Sequence, residues 1–209
     1  MRTLAIVTGA LLVTACGHDS TALNGGADFF DDFGDGTAAR WTTDAGSWSV
    51  AKGQYLGGST QASGCQGLGP NQSLIRDLPA RDVDLQLDMT SLTGVDKGVI
   101  LRSAGPENQL ELNFRAERPG AFPADLVVQE IANCARTFHV PEFAVLIPHQ
   151  VGQTVHVRIR LIGSQLTVWM DGATVLDHAF PFAERTGQVG VAVQGVTAFD
   201  NVSARVLTN

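Results

Sequence analysis

Strict alternation of apolar and polar residues is the feature that most limits how this chain can fold. It runs through residues 83–89, 110–115 and 155–161. Successive side chains of a strand point to opposite faces, so a period of two places one face on a core and the other in water. The helical period finds no comparable match. The sequence therefore predicts an all-β fold.

Tight-turn residues separate the strand candidates. Gly or Asp lies within residues 51–53, 162–164 and 170–172, as tight hairpins require, and the last turn makes residues 155–178 a predicted three-strand meander. Many short strands with such turns are typical of a two-sheet antiparallel sandwich or a barrel, with Greek-key or jelly-roll connections. The other strand candidates are residues 47–51, 54–57, 98–102, 126–131, 165–170, 174–178, 187–194 and 196–206.

The amino terminus has the pattern of an export signal. Arg2 precedes an apolar stretch of about thirteen residues, shorter than the roughly 20 that a membrane-spanning helix needs. Val13-Thr14-Ala15-Cys16 resembles the lipobox of bacterial lipoproteins, in which the Cys becomes the lipid-modified first residue of the mature chain. Residues 1–15 are then the signal peptide. An ordinary signal peptide cut nearby is the alternative.

Residues 16–27 are small and polar, which is typical of a flexible tether, and residues 28–209 form the predicted folded domain. Acyl chains on Cys16 would hold the domain at a membrane without help from its surface. By resemblance to lipoprotein sorting, Gly17 favours the outer membrane of the bacterial cell envelope. We expect the lipid anchor to be the only membrane contact, and the protein to be a monomer.

Two cysteines remain once Cys16 carries lipid. In an oxidising compartment, paired cysteines are usually joined, so Cys65 and Cys134 are predicted to form a disulfide. Two separately buried thiols are the alternative. The cysteines do not have the C-x-x-C spacing that would indicate a metal or redox site.

Composition excludes some classes of partner. The 209 residues carry a net charge of −7, with 14 Lys and Arg against 21 Asp and Glu. Such a chain offers no basic surface for a phosphate backbone, which argues against a nucleic-acid partner. A hydrophobic content of 44% is sufficient for a packed core.

Several short motifs follow one another along residues 29–206. They are Asp31-Asp32-Phe33, Trp41, Gly46-Ser47-Trp48-Ser49-Val50, Gly53, Gly98-Val99-Ile100-Leu101-Arg102, Val168-Trp169-Met170-Asp171-Gly172, Gly187-Gln188-Val189-Gly190-Val191 and Phe199-Asp200-Asn201-Val202. Together they resemble the concanavalin A-like jelly-roll superfamily, in particular its laminin G-like and 3-keto-disaccharide-hydrolase-like branches. The resemblance implies two curved antiparallel sheets, paired first and last strands, and a concave face that holds sugar in many relatives.

A polar stripe is the candidate ligand site. Glu111, Asn113 and Arg115 point to one face of a predicted strand, and Arg102 and Gln129 come from strands expected beside it. On a concave face these groups would suit sugar hydroxyls, with Trp41, Tyr55, Phe138 or His139 as ring platforms. The alternative is a solvated outer face with cross-strand ion pairs.

Catalytic patterns are weak. Glycosidases use two carboxyls about 5 to 10 Å apart, but the run Glu-x-Asp-x-x-Glu of related glucanases fails here, because Asn113 stands two residues after Glu111. If the protein is an enzyme of the keto-disaccharide type, Glu111 is the predicted carboxylate and Arg102 its positioner.

Acidic residues near both ends suggest a structural calcium site. Asp31, Asp32, Asp200 and Asn201 become neighbours if the terminal strands pair, and oxygen ligands suit Ca²⁺. Turn and capping roles are the alternative.

The sequence as a whole predicts a lipid-anchored envelope protein whose jelly-roll domain binds carbohydrate without cleaving it. A glycoside hydrolase of the 3-keto-disaccharide type is the first alternative. A structural or adhesion module without a small ligand is the second.

Overall fold

The structure is a computed structural model that describes residues 28–60, 71–117, 123–139 and 145–208. Every secondary-structure element in these ranges is a strand, which confirms the all-β prediction. The described part of the chain contains no helix that is long and apolar enough to cross a membrane. The strands are β1 (Phe29–Asp31), β2 (Trp41–Thr43), β3 (Ser47–Ala51), β4 (Gln54–Gly58), β5 (Gln72–Ile75), β6 (Val83–Ser103), β7 (Asn108–Arg115), β8 (Asp125–Ala132), β9 (Ala135–Phe138), β10 (Val145–Leu146), β11 (Thr154–Ile162), β12 (Gln165–Met170), β13 (Ala173–Ala179) and β14 (Gln188–Val206).

Two long strands organise the molecule. β6 and β14 pair antiparallel along almost their whole lengths, from Gln188 opposite Ser103 to Val206 opposite Val83. The second half of β6 also pairs with β7, whereas its first half pairs with β11. Both long strands therefore pass through two sheets, so that hydrogen bonds connect all fourteen strands.

The first sheet has the strand order β2-β5-β14-β6-β7-β8, with β9 and β10 both paired to β8. The second sheet continues from the other halves of β14 and β6 through β11, β12 and β13. β1 pairs with the end of β14, as expected for paired first and last strands. The predicted meander of β11, β12 and β13 is confirmed.

Two glycines form the corner where the long strands pass from one sheet to the other. Gly94 and Gly195 both have positive φ, at 76° and 116°. A Cβ on Gly195 would lie 2.3 Å from the carbonyl oxygen of Thr93, and one on Gly94 would lie 2.6 Å from that of Gln194. Only glycine fits such an approach of two backbones, and the strand register shifts here.

The core lies between the two sheets and consists of the apolar side of each alternating strand. Leu85, Leu87 and Met89 of β6 are buried in it, opposite residues from the first sheet such as Leu112 and Phe114. A group of rings fills one part of the core, with Tyr55 stacked between Phe33 and Trp48. One side of the first sheet is therefore core, and the other side carries polar residues beside a small second cluster of Leu74, Ile100 and Ala192.

The structure differs from the predicted strands in two ways. Residues 188–194 and 196–206 belong to a single strand, because the backbone stays hydrogen-bonded through the corner at Gly195. Residues 83–89 and 98–102 likewise belong to β6. The short strands β1, β2, β5, β9 and β10 were not predicted, because they are too short or too evenly buried or exposed to show alternation.

The predicted signal peptide, the lipidation site Cys16 and the whole predicted tether, residues 16–27, lie outside the described residues. Cys134 is disulfide-bonded. Cys65 also lies outside the described residues, so the pairing of Cys65 with Cys134 stays a prediction.

Candidate functional site

The side of the first sheet that faces away from the core carries a hydrogen-bonded row of polar side chains. Antiparallel partners share a face, and the register places Glu111 of β7 opposite Gln129 of β8, which lies opposite Phe138 of β9. We call the row of Ser103, Gln109, Glu111, Gln129 and Arg136 the polar row. It crosses from the end of β6 to β9.

Glu111 is the centre of the polar row. Its Oε1 accepts a hydrogen bond from Nε2 of Gln109 at 2.7 Å, and its Oε2 accepts one from Nε2 of Gln129. Gln109 in turn accepts at Oε1 from the hydroxyl of Ser103 at 3.1 Å. The carboxylate is only 1% exposed. Two amide donors therefore hold it in one orientation, as a fixed acceptor.

The row ends at an exposed ring. Arg136 of β9 donates from Nη1 to Oε1 of Gln129 at 3.4 Å, and its guanidinium lies 4.6 Å from the centre of the Phe138 ring. Phe138 is 57% exposed. A guanidinium over an aromatic face is a favourable contact that also orients the cation. This end of the row thus presents an open ring and a charged donor to solvent.

The rest of the predicted stripe lies on the same face but is engaged in cross-strand pairs. Arg115 forms a two-point ion pair with Asp125 of β8. Asn113 donates from Nδ2 to Asp96 of β6 at 3.2 Å. The sequence analysis gave cross-strand ion pairs as the alternative to a ligand site on this face. The structure has both a cross-strand ion pair and the polar row on the same face.

The structure corrects the predicted position of Arg102, because its side chain does not lie with the other predicted ligand-binding residues. Its φ is 52°, a left-handed conformation that takes its side chain out of the alternating pattern. The guanidinium is buried, at 1% exposure of the residue, and donates to the carbonyl oxygens of Arg81, Gly163 and Ala183 and to Asp82. Arg102 therefore has a structural role, because its hydrogen bonds connect three loops.

Asp82 completes this buried pair. Its Oδ1 accepts from the backbone N–H of Gly163 at 2.8 Å, and its Oδ2 accepts from Arg81 at 3.0 Å. Burial alone would raise the pKa of Asp82, but these donors and the nearby positive charges lower it overall. The carboxylate therefore stays charged opposite Arg102.

The predicted calcium ligands come near one another but are engaged by the protein itself. Asp31 lies opposite Val202 in the terminal strand pair. Burial raises the pKa of Asp200, and the nearby negative charges of Asp88, Asp32 and Asp31 raise it as well. However, Asp31 accepts hydrogen bonds from the backbone N–H of Phe33 and from Nε1 of Trp41. Within the described ranges, no group of three or more acidic, His or Cys residues has metal-binding geometry. The geometry fits the turn roles instead.

Three of the predicted ring platforms have too little exposed surface to stack against a sugar. Trp41 and Tyr55 are buried in the core, and His139 packs edge-on against Phe182. Trp48 is half-buried and borders a surface cavity of about 470 Å³ together with Trp41 and Tyr55. This cavity lies by β2, β3 and β4, away from Glu111. Phe138 is the platform that shares a face with the polar row.

Comparison with known proteins supports the architecture. The model of the 3-keto-alpha-glucoside-1,2-lyase-like domain matches residues 27–205. Among solved structures, carbohydrate-binding module CBM66 from Bacillus subtilis is similar over 79% of this chain and 95% of its own, at 20% identity and a TM-score of 0.63. No curated protein matches the chain significantly.

Two enzymes share the fold as well. A beta-glucanase from Bacillus licheniformis is similar over 88% of this chain and 99% of its own, at 10% identity and a TM-score of 0.55. A xylan beta-1,4-xylosidase from Bacillus halodurans is similar over 84% of this chain but only 38% of its own, at 14% identity and a TM-score of 0.60. These likenesses confirm the concanavalin A-like jelly roll, which occurs in binding modules and in enzymes alike.

Proposed function

The chain belongs to the family of 3-keto-alpha-glucoside-1,2-lyase-like domains, and we propose that it binds carbohydrate, without cleaving it, on the side of its first sheet that faces away from the core. The observation that carries this proposal is the exposed Arg136–Phe138 pair at the end of the polar row. The likeness of the fold to a carbohydrate-binding module agrees with it.

The chemistry of this face suits a sugar. The C–H face of a pyranose or furanose ring packs on an aromatic ring, and Phe138 offers one that is open to solvent. Sugar hydroxyls both donate and accept, and Arg136 beside the ring supplies a charged donor that Gln129 orients. The buried part of the row fixes these groups in place before a ligand arrives, which limits the entropy lost on binding.

The same geometry supports binding rather than hydrolysis. A glycosidase needs one carboxyl to protonate the leaving oxygen and a second on the other side of the bond. Glu111 is almost fully buried, with each carboxylate oxygen bonded to an amide. The other carboxylates on this face, Asp96 and Asp125, are bonded to Asn113 and Arg115.

An enzyme that cleaves 3-keto-glycosides is the second candidate, and the family match favours it. Glu111 would then be the catalytic carboxylate. The isosteric change Glu111→Gln keeps the shape of the row but removes the charge. It should abolish turnover in an enzyme and only weaken retention in a binding protein, so turnover and retention are measured on the same variant.

We also propose that lipid on Cys16 holds the domain at the bacterial outer membrane, a proposal that rests on the amino-terminal sequence alone. Labelled palmitate fed to expressing cells should enter the wild-type chain and not the Cys16→Ser variant. Equal labelling of the two chains would contradict the anchor.

The binding proposal is tested by removing the exposed ring. Phe138→Ala should weaken retention on the recognised glycan by about tenfold or more, because stacked rings dominate such contacts. Phe30→Ala is the matched control, since Phe30 is also exposed but lies on β1, in the second sheet. Binding is measured by isothermal titration on the full chain. Equal loss in both variants, or no loss in Phe138→Ala, would contradict the site.

A further inference from the structure

Arg136 carries a positive charge that no carboxylate of the described residues neutralises through an ion pair. It is exposed on β9. Two arginines elsewhere on the first sheet do have such partners: Arg115 pairs with Asp125, and Arg185, which donates to a carbonyl oxygen of β8, lies 3.6 Å from Glu130. A guanidinium has five N–H donors. Arg136 therefore presents an unpaired charge, with most of its donors open, to solvent.

Glu111 is the carboxylate of the polar row, and it does not pair with Arg136. Its two oxygens accept from the amides of Gln109 and Gln129, and the residue is 1% exposed. Gln129 lies between the two charges, because its Nε2 donates to Glu111 and its Oε1 accepts from Arg136. The amide thus orients the guanidinium without neutralising it. A cation that is already oriented loses less side-chain entropy when a ligand binds.

The open guanidinium lies directly beside the exposed ring. It is 4.6 Å from the centre of the Phe138 ring. The N–H bonds of a guanidinium lie in its own plane, so an arginine over a ring can still donate two of them to one carboxylate. The carboxylate of a uronic acid is bonded directly to a carbon of the sugar ring. Packing of that sugar on Phe138, which is 57% exposed, would bring its carboxylate to the side where Arg136 lies.

We propose that this site binds an acidic polysaccharide, with the carboxylate of a uronic acid residue on Arg136 and the ring of the same residue on Phe138. The inference rests on the proposed carbohydrate-binding function and names the class of sugar. Charge-assisted hydrogen bonds are about twice as strong as neutral ones, which favours a carboxylate over a hydroxyl at Arg136. The net charge of −7 has little effect at contact distance, because exposed charges farther apart than about 8 Å are largely screened at physiological ionic strength.

The test compares acidic polymers with their own methyl esters, which keep the sugar ring but remove its charge. Polygalacturonate, polymannuronate and polyglucuronate are the probes, and isothermal titration on the full chain measures the affinity. The proteins are the wild type, Arg136→Gln, Phe138→Ala and the control Arg160→Gln. Arg160 is exposed on β11, so the control removes the same charge in the second sheet. Thermal unfolding of each variant verifies that it is folded.

We expect the wild type and Arg160→Gln to bind at least one acidic polymer about tenfold or more tightly than its methyl ester. Arg136→Gln should remove most of this preference, because it keeps an amide donor but loses the charge. Phe138→Ala should weaken the binding of the acid and of the ester. A preference in Arg136→Gln as large as that in Arg160→Gln would overturn the assignment of the carboxylate to Arg136.

The same measurements separate this inference from the proposed function. Binding of esters or neutral glycans that depends on Phe138, without a preference for the acid, would overturn the acidic-sugar inference and support the carbohydrate-binding function. The absence of binding to every acidic and neutral polymer would overturn both. Poly-glutamate and dextran sulfate should bind more weakly than the preferred uronic acid polymer. Equal binding of either one would reduce the site to one for any polyanion and overturn the assignment to uronic acids.

Discussion

At the scale of single residues, the alternating pattern of β6 predicts the wrong position for the side chain of Arg102. Alternation along β6 places it beside Glu111, where it would position a ligand. Its left-handed backbone instead directs the guanidinium towards Asp82 and three carbonyl oxygens. No sequence signal marks that φ value, because non-glycine residues rarely adopt it.

Arg102→Met tests this structural role. The change removes the buried one of the two cations paired with Asp82, leaving only the more exposed Arg81, and it leaves three carbonyl oxygens without their donor. We therefore expect a loss of about 3 kcal/mol or more in the free energy of unfolding. Urea denaturation measures it, with Arg160→Met at an exposed position of β11 as the control. A loss no larger than that of the control would contradict the role.

The lowered pKa of the buried Lys97 implies that the stability of the protein depends on pH. Its pKa is about 7 in the folded protein and near 10.5 when the chain is unfolded, so the unfolded chain binds more protons between these values. Stability contributed by this group therefore rises with pH through that window and is lowest below pH 7.

Lys97→Met should remove this dependence and stabilise the protein at pH 6.5 by up to about 4 kcal/mol. The gain over the wild type should shrink as the pH is raised to 9. Urea denaturation across this range measures both quantities, and Lys52→Met serves as the control for net charge. A constant difference between Lys97→Met and the wild type would contradict the prediction.

At the scale of elements, alternation was a good guide wherever a strand has one wet face. β7, β11 and β12 were predicted within about two residues of their bounds. β5 was missed because all four of its residues are buried, which leaves no polar face to reveal it. The corner at Gly94 and Gly195 was taken for a break between strands, because a bulge interrupts the pattern without ending the pairing.

Gly195→Ala tests the corner. The new Cβ would collide with the carbonyl oxygen of Thr93, so the free energy of unfolding should fall by at least about 2 kcal/mol more than in the control. The control is Gly105→Ala, because Gly105 has a similar φ of 125° but open space around it. Thermal and urea unfolding compare the two. Equal losses would mean that backbone conformation alone, and not the close approach, requires glycine.

At the scale of the whole molecule, the two long strands determine where a site can form. They place β7, β8 and β9 side by side, so that residues far apart in sequence, such as Glu111 and Arg136, join one row. The sequence predicted Glu111, Asn113, Arg115 and Gln129 on a shared face, because alternation and neighbouring strands suffice for that. It did not predict Arg136, because β9 shows no alternation and its register is set by the turn after β8.

The carbohydrate-binding claim has one direct test: the full chain is screened against a broad glycan panel while retained protein and released sugar are read from the same wells. We predict retention on at least one glycan without release of sugar. Release of sugar would contradict the proposal in favour of an enzyme, and a folded protein with neither retention nor release would contradict it in favour of a structural module.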